Sequence, residues 1–170
     1  EVVYGVQSIH KTHQISVPEP QMTIDKNVPN ACNQCHVDKS VNWSVIQAKA
    51  LWPEHYRSSE VSLDRQFEMA EGVRGIFGGD ALTRALMADA IARNADLDWS
   101  APFLIEAFSG DNYPIVRYFA ANGLSKWRQS IPKPDYLGAN DARNREIAAW
   151  FAAVDPAKAL ARWRRQEWQP

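Results

Sequence analysis

Two thiols and an imidazole share one short stretch, Ala31-Cys32-Asn33-Gln34-Cys35-His36. These are the only cysteines of the chain, and a histidine follows the second at once. Cys-x-x-Cys-His is the attachment signature of c-type haem. The chemistry requires this order. Each thiol adds to one vinyl group of the porphyrin and makes a thioether. The two-residue gap sets the thiols apart by about the distance between those vinyls. The next side chain then projects beneath the porphyrin plane, where its imidazole binds iron. Cys32 and Cys35 are therefore the expected attachment points of one covalent haem c, and His36 its expected proximal ligand.

Other uses of the thiols compete. A thioredoxin-like redox pair expects a strand before it and a helix after it, but Val28-Pro29-Asn30-Ala31 is a turn with no strand behind it. A disulfide across so short a loop staples little chain. The sharpest rival is zinc. His10-x-x-His13 and Cys32-x-x-Cys35 make a plausible four-ligand set, which would staple a helical interaction module without redox role. That set reverses the order of common zinc fingers and leaves His36 without a task.

A haem iron held by His36 can take a His, a Met or nothing on its other face. The candidates are His10, His13, Met22 and His55, with Met69 and Met87 more remote. Residues 1–30 read as an extended arm, with Ile15-Ser16-Val17-Pro18-Glu19-Pro20 suited to polyproline geometry. Such an arm has no core face of its own and needs something to wrap. A histidine on it can reach iron from the far side. Met22 would raise the reduction potential relative to a second imidazole. Two imidazoles would make the iron six-coordinate, low-spin and low in potential, an electron carrier rather than an enzyme. An open sixth position would instead suit a gas sensor or a peroxidase-like enzyme.

Two stretches carry a resemblance. The first is His13-Gln14-Ile15-Ser16-Val17-Pro18-Glu19-Pro20. The second is Val28-Pro29-Asn30-Ala31-Cys32-Asn33-Gln34-Cys35-His36-Val37-Asp38-Lys39-Ser40, followed by Trp43. Together they resemble multihaem c-type cytochromes of the cytochrome c554-like kind, some of which continue into a helical-repeat domain. In that family a P-N-A-C-x-x-C-H-x-D-K-S haem site follows an upstream H-x-x-H-x-I element. The likeness spans about residues 1–45. It implies that His13 or His10 is the distal ligand, and His13 matches the recurrent ligand better. It also implies a further Cys-x-x-Cys-His-Met-Pro site upstream, which this sequence lacks. Upstream haems are then expected in the missing part of the gene product or in another chain. One of the two histidines would serve such a haem.

Helices must hold this loop in place. Ser40 or Asn42 can cap a helix carrying Trp43, Val45, Ile46, Ala50 and Leu51, stopped by Pro53. Trp43 and Trp52 are candidates for the haem edge or for plain core. A second helix is expected around Val61–Phe77, ended by Gly78-Gly79. Two later segments look alike. Arg84 and Arg117 stand 33 positions apart (117 − 84), as do Ile91 and Leu124. Between them Ser100-Ala101-Pro102 is expected to open a helix over Phe103–Ser109. Paired helices of this kind resemble HEAT repeats, although that class usually repeats every ~40–47 residues. An ordinary helical bundle is the plain alternative. Residues 131–139 read as a loop, a helix follows from Asp141, and Asp155-Pro156 caps a last one that bears Arg162, Arg164 and Arg165. The expected fold is thus mostly α. A haem-binding arm and haem helix, residues 1–56, precede a HEAT-like helical domain, residues 57–170.

Composition narrows the partners. The 170 residues are 45% hydrophobic and 23% charged, with a net charge of −1, so no basic field invites nucleic acid. No apolar run approaches the ~18 residues of a membrane span. No phosphate loop and no nucleophile triad is visible. The chain opens Glu1-Val2-Val3 without a start methionine, so a processed or excised piece of a longer chain is expected. A bacterial-type periplasmic or extracellular location follows from c-type haem chemistry. The expected partners are other haem domains or redox proteins.

Overall fold

The computed structural model describes residues 2–4, 9–11, 17–94, 97–127 and 135–151, and these are mostly α-helical. Strands β1 (Val2–Tyr4) and β2 (Ile9–Lys11) pair antiparallel, with Val3 opposite His10. Then come α1 (Gln21–Lys26), α2 (Ala31–Cys35) and α3 (Val41–Leu51). After a 3-10 turn at Arg65–Glu68 follow α4 (Glu71–Gly78), α5 (Ala81–Asn94), α6 (Leu97–Gly110), α7 (Pro114–Trp127) and α8 (Asn140–Phe151).

Helix α5 lies at the centre because its small residues let neighbours approach on several sides. Ala85, Ala88, Ala90 and Ala92 are all buried, together with Met87 and Ile91. Close packing of this sort crowds out a methyl group at several glycines. A Cβ on Gly123 of α7 would stand 2.7 Å from Ala92 Cβ and 2.8 Å from Leu104 Cδ1. A Cβ on Gly72 of α4 would meet the Val37 carbonyl at 2.9 Å. The second contact presses the segment after Cys35 directly onto the helical body. Leu104, Ile105, Phe108, Val116, Ala120 and Leu124 complete the core between α6 and α7.

The two arginines that stand 33 residues apart do equivalent work. Arg84 Nη1 donates to the Gly79 carbonyl at 2.8 Å, and Arg117 Nη1 donates to the Asp111 carbonyl at 2.8 Å. Each guanidinium ties its own helix to the loop that precedes it. Arg143 of α8 does the same with the Gly138 carbonyl. Arg84 also pairs through Nε with Asp111 Oδ2 at 2.6 Å, which links the α4–α5 layer to the loop before α7.

Three expectations about elements are corrected. Residues 21–26 are helical rather than part of an extended arm, and Asn27, in the left-handed region at φ 55°, ends that helix. The stretch from Val61 is not one helix. Leu63 is 98% exposed, so it belongs to no buried stripe. The Glu71 and Gly72 amides donate to the Lys39 and Val37 carbonyls, both at 2.9 Å, instead of to a preceding helical turn. Tertiary hydrogen bonds thus delay the helix to Glu71. Conversely, α6 begins at Leu97 and contains Pro102. Burial of Trp99, whose ring meets Phe103 at 5.0 Å, outweighs the breaking tendency of the proline. The expected last helix and Arg162, Arg164 and Arg165 lie outside the described residues.

Candidate functional site

Helix α2 is one and a half turns long and carries both thiols. Cys32 is half-buried and Cys35 exposed, and they are not joined to each other. Residues three apart on a helix share a face, so both sulfurs rise from one side of α2. Asn30 caps the helix: its Oδ1 accepts from the Asn33 amide at 3.0 Å. His36 closes it. Its N–H donates to the Cys32 carbonyl at 2.9 Å, while its own backbone leaves helical geometry at φ −94°, ψ 59°. The imidazole is exposed and lies against Trp43, ring centroids 5.0 Å apart and tilted 53°.

Under this surface lies a buried polar cluster that the sequence reading missed. Asn33, between the cysteines, is completely buried. Its Nδ2 donates toward the carbonyls of His36 (3.2 Å), Lys39 (3.0 Å) and Ser40 (3.3 Å). Its Oδ1 accepts from Asn30 Nδ2 at 2.9 Å and Ser44 Oγ at 2.8 Å. Asn30 Nδ2 also reaches Thr23 Oγ1 at 2.9 Å, and that hydroxyl donates to the Val28 carbonyl at 2.7 Å. One signal was available: an Asn just before a short helix is a preferred N-cap. The burial of Asn33 had none, because a Cys-x-x-Cys-His pattern leaves its x positions free.

The surroundings brace the site further. Asn94, at the end of α5, donates to the Gln34 carbonyl at 2.8 Å. Ser40 caps α3 by accepting from the Trp43 amide at 3.0 Å, as one of the two expected caps. Asn42, the other, instead clasps the backbone of Ser62 through both ends of its amide, each at 2.8 Å. Tyr56 is buried and donates its hydroxyl to the Pro18 carbonyl. Beneath the loop Glu71 is wholly buried and takes two bonds from Arg74, at 2.6 and 2.8 Å.

Electrostatics follow from this burial. Desolvation pushes the Cys32 thiol above its ordinary value, and the neighbouring Cys35 adds to that. Burial likewise raises the Tyr56 phenol, with Glu19 and Cys32 contributing as negative neighbours. The Glu71 carboxyl is also held above its usual range by burial, against the pull of Arg74.

The ligand candidates fall in different places. Met22 is half-buried on α1. His10 is on strand β2, and His13 lies outside the described residues. His55 is exposed, 3.6 Å from Glu19 and edge-on to the Tyr56 ring at 4.6 Å. Trp43 meets the His36 ring, whereas Trp52 is largely exposed. Among the described residues no three His, Cys, Asp or Glu side chains converge as a metal site. No helix among them is long and apolar enough to cross a membrane. Comparison with known proteins finds no matching family model, no matching curated protein and no matching solved structure.

Proposed function

We propose that this chain is a c-type cytochrome unit that transfers electrons through one covalent haem c. The observation that carries the reading is the form of the Cys-x-x-Cys-His stretch. It is a short capped helix at the surface, with both thiols on one side and an exposed imidazole where the chain leaves the helix. The donor set fits the group. Cys32 and Cys35 would hold it by two thioethers, and His36 would supply the proximal nitrogen. We assign the distal position to His13, with His10 or Met22 as its substitutes. When bound, the haem supplies an iron that cycles between ferrous and ferric states.

The protein contributes position. Asn30 and Asn33 hold the turn, Trp43 limits rotation of the His36 ring, and Gly72 lets the loop seat on α4. A buried backbone this firmly tied changes little when a neighbouring charge changes, which suits a carrier of electrons. The helical body reads as HEAT-like stacked pairs, supported by the equivalent tasks of Arg84 and Arg117. Such stacks present binding surfaces. The proposed task of the body is docking to other haem domains, to a redox partner or to an upstream part of the same gene product. The proposed location is outside the cytoplasm of a bacterial-type cell.

The test is a visible spectrum of the full chain made in a host competent in cytochrome c maturation. Sharp α and β bands on dithionite reduction, with colour that survives acid-acetone extraction, are the expected result. Colourless protein with stoichiometric zinc would replace this reading by the zinc-stapled module of His10, His13, Cys32 and Cys35. His13→Ala then tests the distal assignment, because loss of the low-spin spectrum is expected.

A further inference from the structure

Thioether chemistry sets no requirement at position 33 beyond spacing. Yet Asn33 is wholly buried and uses every polar atom it has. Two hydrogens on Nδ2 face three carbonyls, and two lone pairs on Oδ1 meet two donors. The carboxamide can therefore sit only one way round. A flipped amide would set its NH2 against Asn30 Nδ2 and its oxygen against three carbonyl oxygens.

One of these bonds reaches the backbone of His36, and the others hold the segment that follows it at Lys39 and Ser40. The His36 carbonyl accepts from Asn33 Nδ2 at 3.2 Å and from the Lys39 amide at 3.1 Å. The His36 N–H is held by the Cys32 carbonyl. Both backbone groups of His36 are thus fixed from within the loop, and the ring lies against Trp43. Every partner belongs to the chain, so none of this depends on a bound group.

Resting on the reading of Cys32–His36 as a haem-attachment loop, we infer that Asn33 is the positioning residue for His36. It sets the direction of the iron ligand before attachment. Ser44 belongs to the same cluster but touches only the acceptor side of Asn33. It separates positioning from stability. Asn33→Ala in the full haem-loaded chain should give a mixture of low-spin and high-spin iron by electron paramagnetic resonance. Ser44→Ala should keep a single low-spin species while its melting temperature falls. Should Asn33→Ala not fold, Asn33→Ser keeps one small hydroxyl donor in the cluster while losing the amide, and the same mixture is expected. A wild-type signal in the Asn33 variants would overturn the inference, and so would an identical mixture in Ser44→Ala.

Wild-type chain without haem would end the cytochrome reading and leave this inference to hydrogen exchange. In that chain Asn33→Ala, which removes every side-chain bond of residue 33, should speed exchange of the Lys39 amide by at least roughly five- to tenfold, and Ser44→Ala should not. Equal exchange in both variants would again overturn it.

Discussion

The loop around Cys32 and the body around α5 are held by opposite means. Thr23, Asn30, Asn33 and Ser44 are buried polar residues joined by bonds that span three to eleven positions in sequence. The body is packed from alanines, glycines and larger apolar side chains, and its contacts join adjacent and next-but-one helices. A hydrogen bond has a direction, whereas apolar burial scales with area and has none. The loop is thereby suited to aiming a side chain, and the body to holding the chain folded. The arginines are the body's exception. They add direction where a helix meets the loop before it, and Arg84 and Arg117 also tie their helices to the next loop along, at Asp111 and Tyr136.

That division can be broken or sharpened by substitution. Leu104→Ala should have the largest effect, a loss of about 2–5 kcal/mol in urea unfolding, because Leu104 is fully buried between α6 and α7. On the proposed cytochrome reading, the iron spectrum of the folded fraction should not change. Arg84→Met keeps length and loses the Asp111 pair, at a cost of about 1–3 kcal/mol by the same measurement. Asn30→Ala removes the cap of α2 and two side-chain bonds, and should cost about 1–2 kcal/mol. Unlike the first two, on the proposed cytochrome reading it should also disturb the ligation of iron. A body variant that changes the spectrum while folded, or Asn30→Ala that leaves it intact, would undo the comparison.

Two smaller effects probe single groups. In haem-free chain, Cys35 should react with iodoacetamide before Cys32, because Cys35 is exposed and burial raises the Cys32 thiol. Mass mapping of partly labelled protein checks the order. Asp80 gives the smallest effect. The bonds from Thr83 hold its carboxyl below the usual range. Its folded value is thus lower than its unfolded one. The stability it contributes is present above the ordinary aspartate range and is lost as pH falls through the folded value. Asp80→Asn should flatten the acid limb of a stability curve only slightly, since the residue is exposed and solvent screens it.

Much of the body was legible from local pattern. The repeated Arg and the Gly78-Gly79 stop mark a real task and a real boundary. Helix starts were harder. The apolar spacing of Leu63, Phe67 and Ala70 suggested one helix, but the amides of Glu71 and Gly72 found the carbonyls of Lys39 and Val37 in the loop after Cys35. Pro102 suggested a start, but Trp99 gains more from burial as part of the same helix. In both cases a distant contact outweighed a neighbour's preference.

The candidate chemistry rests on adjacency. Two thiols and an imidazole within five positions define what can be attached, and any fold that exposes them would inherit that choice. Direction does not follow from adjacency. Asn33 is an unconstrained letter in the motif until Ser44, Lys39 and the body enclose it. Short-range spacing determines which atoms can react, because covalent geometry is local. Only the assembled chain decides where His36 points, because burial and the bonds it enforces come from residues that spacing does not bring together.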